Sequence, residues 1–99
     1  MTDFDAFKRS LKEGAPPDGL RAELRALWHA AKGGWDEAHR LVQDEASADA
    51  AWVHAHLHRI EGDLDNAGYW YRRAGRPKSE RALPAEWDEI AGALLQEAG

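Results

Sequence analysis

The chain has 99 residues, a formal net charge of −5, 43% apolar residues, five tryptophans and no cysteine. This length suits a single domain with one core, and the aromatic content is typical of folded rather than disordered chains. The absence of cysteine excludes disulfide scaffolds and thiolate zinc sites, the acidic balance argues against nucleic-acid binding, and no apolar run approaches the ~20 residues of a membrane span.

Six helices are predicted from the recurrence of apolar residues at helical spacing, and no segment shows the period-2 alternation of a strand. Thr2 or Asp3 caps the first helix, and Pro16 and Pro17 interrupt the chain before the second. Residues 76–83 form a basic connection before the last helix. The predicted helices cover, in chain order, residues 3–14, 18–32, 35–45, 47–62, 63–74 and 84–98, and either Ser47 or Asp49 begins the fourth.

One apolar face of each helix forms the predicted core. These faces carry Phe4, Phe7, Leu11, Leu20, Leu24, Leu27, Ala31, Trp35, Ala38, Val42, Val53, Leu57, Ile60, Leu64, Ala67, Tyr71, Ala74, Trp87, Ile90, Ala91, Leu94 and Leu95. Short connections between helices of this length favour antiparallel neighbours. We therefore predict an all-α fold in which the second and third helices, and the fourth and fifth, form two hairpins.

An internal repeat relates residues 22–44 to residues 51–73. Matched small residues allow helices to approach closely, a matched glycine ends the first helix of each copy, and a matched aspartate opens the second. The identical pairs are Ala22/Ala51, Ala26/Ala55, His29/His58, Gly33/Gly62, Asp36/Asp65 and Ala38/Ala67. Because helical repeats stack, we predict one helical-repeat domain over residues 1–99. Its predicted parts are an N-terminal cap at 1–19, hairpins at 20–46 and 47–75, and a basic connection with a C-terminal capping helix at 76–99.

The second copy resembles the tetratricopeptide repeat. Its matching positions are Ala55, Gly62, Asp63, Ala67, Tyr71 and Ala74. The first copy keeps Ala26, Gly33 and Ala38 but has Val42 in place of the aromatic residue, and its period is shorter than the family's. The resemblance implies a non-enzymatic scaffold that binds a protein or peptide in a groove and grips acidic groups with basic side chains. Residues 52–77 are also similar to small bacterial proteins of unknown function.

The differences between the two copies concentrate in the second hairpin, which is where we expect a binding surface. The candidate residues for a partner or an anion are Trp52, His54, His58, Tyr69, Trp70, Arg72, Arg73 and Arg76. Two structural interpretations of the arginines compete with binding. In one, the helix dipole favours their positive charge at an exposed helix end. In the other, they form a cation–π and salt-bridge network that holds the last two helices together. A monomer or a weak homo-oligomer that stacks through an uncapped repeat face is expected.

The alternative function is a histidine-based site for a metal or a small anion. His54 and His58 lie one turn apart on the predicted fourth helix, and Glu61 continues the same side, so the three supply ligands for Zn²⁺ or a similar ion. The competing interpretation makes both histidines structural and the protein free of cofactors. His29 is expected to pack against neighbours, and His39 to lie on the helix surface.

No catalytic residue is predicted. The position that carries glutamate in the zinc-protease motif is Ala55, and the chain has no glycine-rich phosphate loop and no nucleophile elbow. Met1–Phe7 lack the basic start and apolar stretch of a secretion signal. We therefore expect a cytoplasmic, non-enzymatic protein with no nucleic-acid or membrane partner.

Overall fold

A computed structural model describes residues 3–98 and shows an all-α fold, as predicted. No strand occurs among these residues. A 3₁₀ turn at Ser10–Lys12 follows the first helix. The α-helices of the described chain are α1 (Phe4–Arg9), α2 (Ala22–Ala31), α3 (Trp35–Val42), α4 (Ala48–Ile60), α5 (Leu64–Ala74) and α6 (Leu83–Ala98).

Side-chain caps mark the starts of three of the six described α-helices. The carboxylate of Asp3 accepts a hydrogen bond from the Ala6 amide at the start of α1, whereas the alternative cap, Thr2, lies outside the described residues. Ser47 caps α4 through the Ala50 amide, and Asp63 caps α5. Only α2 begins clearly later than predicted, because the chain stays extended through Arg21 without a side-chain cap.

The two repeat-related helix ends have the same backbone conformation. Gly33 and Gly62 have φ values of 84° and 83°, in the left-handed region that favours glycine. The next amide donates to the carbonyl of His29 at 2.7 Å in the first copy and to that of His58 at 2.9 Å in the second. This is the hydrogen-bond pattern of the Schellman motif, so the matched glycines end α2 and α4 in the same way.

Helix α4 lies at the centre of the molecule. It packs against α2, α3, α5 and α6, while α2 also packs against α3 and α6 contacts α1. Every residue from position 50 to 58 is buried, although three of the nine are histidines. A helix surrounded on all sides buries its polar face together with its apolar face, which brings the histidines into the interior.

The core contains most of the predicted apolar residues, but three expectations are wrong. Ala31 is exposed, and Ile60 and Leu64 keep 39% and 65% of their surface. Ala31 and Ile60 line an open cavity beside α6. Leu64 lies in the first turn of α5, and none of the described helices buries it. Within the described part of the chain, no helix is long and apolar enough to cross a membrane.

Candidate metal centre

Three histidines from two helices meet beside α5. His39 comes from α3, His54 and His58 come from α4, and each offers a ring nitrogen within 4.8 Å of the others. The Nε2 atoms of His39 and His54 are 3.0 Å apart. His54 and His58 are 3% and 7% exposed, and His39 is partly buried. We call these three residues the histidine cluster.

Helix geometry and two indoles hold the cluster in place. The i, i+4 spacing on α4 stacks the rings of His54 and His58 with centroids 4.9 Å apart. Trp35, one turn before His39 on α3, stacks on the His39 ring at 4.8 Å. Its indole N–H donates to the Leu57 carbonyl of α4 at 2.6 Å. This hydrogen bond joins α3 to α4 at the level of the cluster.

Helix α5 covers the other side of the cluster. Trp70 stacks on His54 with ring centroids 3.8 Å apart and an interplanar angle of 11°. The cluster therefore lies between two indoles, Trp35 and Trp70, which exclude most water from the imidazoles. An apolar surround of this kind strengthens any interaction between the ring nitrogens and a bound ion.

Glu61 fixes the tautomer of His58. Its Oε1 lies 2.6 Å from the Nδ1 atom of His58. A carboxylate only accepts hydrogen bonds, so Nδ1 carries the proton and Nε2 of a neutral ring keeps a lone pair for a metal. The sequence predicts Glu61 as a third ligand, whereas its position against His58 suits the supporting partner of a metal-bound histidine.

Burial disfavours the charged forms of His54 and His39. Desolvation, together with the neighbouring rings of His39 and His58, lowers the pKa of His54 from 6.5 to about 4. Burial and the neighbouring His58 also lower the pKa of His39. Neutral imidazole is the form that binds metal ions. The Nε2 atom that donates the hydrogen bond between His39 and His54 would pass its proton to Nδ1 of the same ring when an ion binds. The Nδ1 atom of His54 is buried with no hydrogen-bond partner among the described residues.

The candidate partner site divides into a buried and an exposed part. His54, His58 and Trp70 form the cluster and its cover, while Trp52 is buried beneath the guanidinium of Arg76, which lies 3.5 Å from the ring centroid. The exposed part consists of Tyr69, Arg72, Arg73 and Arg76. Arg73 donates to the Tyr69 hydroxyl at 3.1 Å and lies 5.2 Å from the ring of Trp70.

His39 is the residue that the sequence interpretation misses. The sequence predicts a surface position for it, yet it completes the cluster because α3 packs against α4. The signal in the sequence is the spacing of Trp35 and His39, one helical turn apart on one side of α3. His29, the repeat counterpart of His58, lies apart from the cluster, edge-on to Trp28 at 5.2 Å.

A second buried polar group is also absent from the sequence interpretation. Glu86 on α6 is fully buried, and its carboxylate receives hydrogen bonds from His56 and Arg59, each at 2.7 Å, and from the Tyr71 hydroxyl. Burial raises the pKa of Glu86, but the hydrogen bonds from these three donors outweigh it and leave the pKa below its ordinary value. Four residues before Ile90, Glu86 lies on the apolar stripe of α6, which is the available signal.

The histidine cluster thus offers three nitrogen ligands, a supporting carboxylate and a largely apolar surround. This combination is suited to holding a borderline divalent cation, and it contains no nucleophile beside a base. No protein-family model, curated protein sequence or solved structure matches this chain.

Proposed function

We propose that this protein binds a divalent transition-metal ion through His39, His54 and His58. The observation that carries the proposal is the meeting of three ring nitrogens within 4.8 Å. Ligand nitrogens of a tetrahedral zinc site lie ~3.4 Å apart, given bonds of ~2.0–2.1 Å to the metal. The 3.0 Å separation of the His39 and His54 Nε2 atoms is close to this value, so small ring rotations would accommodate an ion.

The ligand set favours certain metals. Imidazole suits Zn²⁺, Cu²⁺ and Ni²⁺ and is a poor ligand for Mg²⁺ and Ca²⁺, which take oxygen. Three protein ligands leave a fourth position for water or another ligand. His39 is the most accessible of the three, so exchange with solvent takes place on the α3 side.

Calorimetry with Zn²⁺ and Ni²⁺ tests the proposal, and the absorption spectrum of the Co²⁺ form reports coordination number. We expect one ion per chain, and at least a tenfold loss of affinity in His39→Ala, the variant least disturbing to the core. His29→Ala is the matched control, because His29 lies outside the cluster. Equal binding by both variants, or no binding by the native chain, would refute the metal site.

A second candidate function is the binding of an acidic peptide, as the tetratricopeptide resemblance implies. It is supported by the exposure of Arg72, Arg73 and Arg76, since no described carboxylate forms an ion pair with any of them. Tyr69 adds an exposed aromatic surface beside them.

Fluorescence anisotropy with a labelled hexaglutamate peptide tests this second function. Binding should weaken steeply with salt and fall at least tenfold in Arg72→Glu/Arg73→Glu. Arg9→Glu/Lys12→Glu, near the other end of the chain, changes the net charge by the same amount and serves as the control. The peptide function fails if both variants bind alike.

A further inference from the structure

A cavity of about 390 Å³ opens on the side of α4 away from the histidine cluster. Residues two apart on a helix point in nearly opposite directions, so His56 faces away from His54 and His58 and lines this cavity. The other walls come from α1, α2 and the start of α6 and are mostly apolar. Cavities of ~300–1,000 Å³ with few polar groups are typical of small-molecule sites.

No side chain in the described part of the chain covers the apolar walls. Ala31 and Ile60 occupy positions that helical spacing assigns to the core, yet both are exposed where they line the cavity. Trp87 forms another wall and is held by a hydrogen bond from its indole N–H to the Leu27 carbonyl at 2.7 Å. The hydrogen bond fixes the position of the Trp87 indole in the wall, and no side chain among residues 3–97 fills the cavity.

His56 provides one oriented polar group in this apolar setting. The residue is 1% exposed, and its Nδ1 lies 2.7 Å from the carboxylate of Glu86. Because Arg59 and Tyr71 also donate to Glu86, the carboxylate is an acceptor and Nδ1 must carry the proton. In the tautomer that has its proton on Nδ1, Nε2 is a hydrogen-bond acceptor. None of the hydrogen bonds between described residues uses this Nε2 atom.

The rim of the cavity carries a closed ion pair. Lys8 on α1 and Asp88 on α6 both line the cavity and are joined at 2.9 Å. Their charges satisfy each other, so the rim does not select for an ionic ligand. His56 is therefore the group in the cavity that would bind a polar atom of the ligand.

We propose that this cavity binds a small, uncharged aromatic or alicyclic molecule that carries a hydroxyl group. The ring of the ligand packs against Ile60, Ala31 and Trp87, and its hydroxyl donates a hydrogen bond to Nε2 of His56. This inference is independent of metal binding, because the histidine cluster lies on the other side of α4.

Titration of p-cresol and toluene into ¹⁵N-labelled protein, with EDTA present, tests the proposal. The two probes share a shape and differ in the hydroxyl, so we expect p-cresol to bind at least tenfold more tightly. The Trp87 indole signal and the His56 ring ¹⁵N signals should shift on binding. Equal affinity of the two probes, absence of binding by p-cresol, or shifts confined to other tryptophans would each overturn the proposal.

Two variants test the cavity and the hydrogen bond to His56 separately. Ala31→Trp fills the cavity and should abolish binding of p-cresol, whereas Ala48→Trp, at another exposed alanine outside the cavity, should leave it unchanged. His56→Asn retains an N–H for Glu86 but removes the Nε2 acceptor, so its affinity for p-cresol should fall to that for toluene. Unchanged binding of p-cresol by Ala31→Trp, or by a folded His56→Asn protein, would contradict the assignment.

Discussion

Glu86 shows how a charged group is accommodated in the interior of a small domain. An unpaired buried carboxylate would cost several kcal/mol. Here His56, Arg59 and Tyr71 supply three hydrogen bonds from two helices to a side chain on a third. Arg59 also donates to the Arg81 carbonyl at 2.7 Å, so the same guanidinium holds the connection before α6. The group joins α4, α5 and α6.

Replacing this carboxylate should be costly. Glu86→Gln removes the charge that Arg59 and His56 face, and we expect the free energy of unfolding to fall by ~3 kcal/mol. Glu89→Gln, on the same helix, breaks only an exposed ion pair with Arg81 and should cost less than ~0.5 kcal/mol. Urea denaturation of the two variants measures the difference. Equal, small losses would show that Glu86 is not held by its partners.

The lowered pKa of His54 predicts a pH dependence of stability. Between 6.5, its ordinary pKa, and about 4, its pKa in the folded protein, the unfolded chain binds more protons than the folded one. The stability is therefore full above pH 6.5 and is lost as the pH falls towards 4, by at most about 3 kcal/mol. Urea midpoints at pH 7, 6 and 5 with EDTA check this. In His54→Gln, the urea midpoint should change less with pH. If the midpoint of this variant changed with pH as much as that of the native chain, the assignment of the effect to His54 would be wrong.

Among the structural elements, each helix end depends on a few residues. Gly62 ends α4 with φ of 83°, and a side chain there is strained even though no atom lies close enough to clash. Gly62→Ala should lower the free energy of unfolding by ~1 kcal/mol. Gly92 lies within α6 with open space at its Cβ position, so Gly92→Ala should raise it by ~0.5–1 kcal/mol. We expect urea denaturation to show that the two variants change the free energy of unfolding in opposite directions.

The central position of α4 explains why one helix carries two candidate sites. Its neighbours α3 and α5 enclose His54 and His58 on one side. On the other side, α6 brings Glu86 to His56. Histidines at alternating positions of a helix point to different neighbours, so three residues close in sequence form parts of two separate groups.

For the molecule as a unit, a metal ion bound by α3 and α4 would link the two predicted hairpins. A ligand that binds only the folded state stabilises it by mass action, so Zn²⁺ at 100 times its Kd should add ~2.7 kcal/mol. Thermal unfolding with and without Zn²⁺ measures this shift. His39→Ala should show no shift and His29→Ala the full one. A shift of equal size in both would place the ion elsewhere.

The helices could be predicted from the sequence because their determinants are local. Ser47 and Asp63 cap helices through amides three residues later, and Gly62 ends a helix through its own backbone conformation. The common side of His54 and His58 also follows from helical spacing. Each of these features involves residues within one turn of each other, and such interactions depend little on the rest of the fold.

The candidate sites could be predicted only in part. His39 joins His54 because two helices pack together, and Glu86 is buried because α4 and α5 bring it three donors. Ile60 has the spacing of a core residue, yet 39% of its surface is exposed. Burial depends on which distant segments of the chain pack against a residue. The sequence around an apolar or charged residue does not show which segments these are.

The order of amino acids is therefore enough to predict the all-α class, most of the helix ends and the pairing of two histidines on one helix face. The packing of the helices was needed to make His39 the third member of the cluster, to bury Glu86 as an ion and to place His56 beside a cavity. The physical reason is the range of the interactions. Hydrogen bonds at helix ends close within a few residues, whereas desolvation and the meeting of side chains depend on the packing of the whole chain.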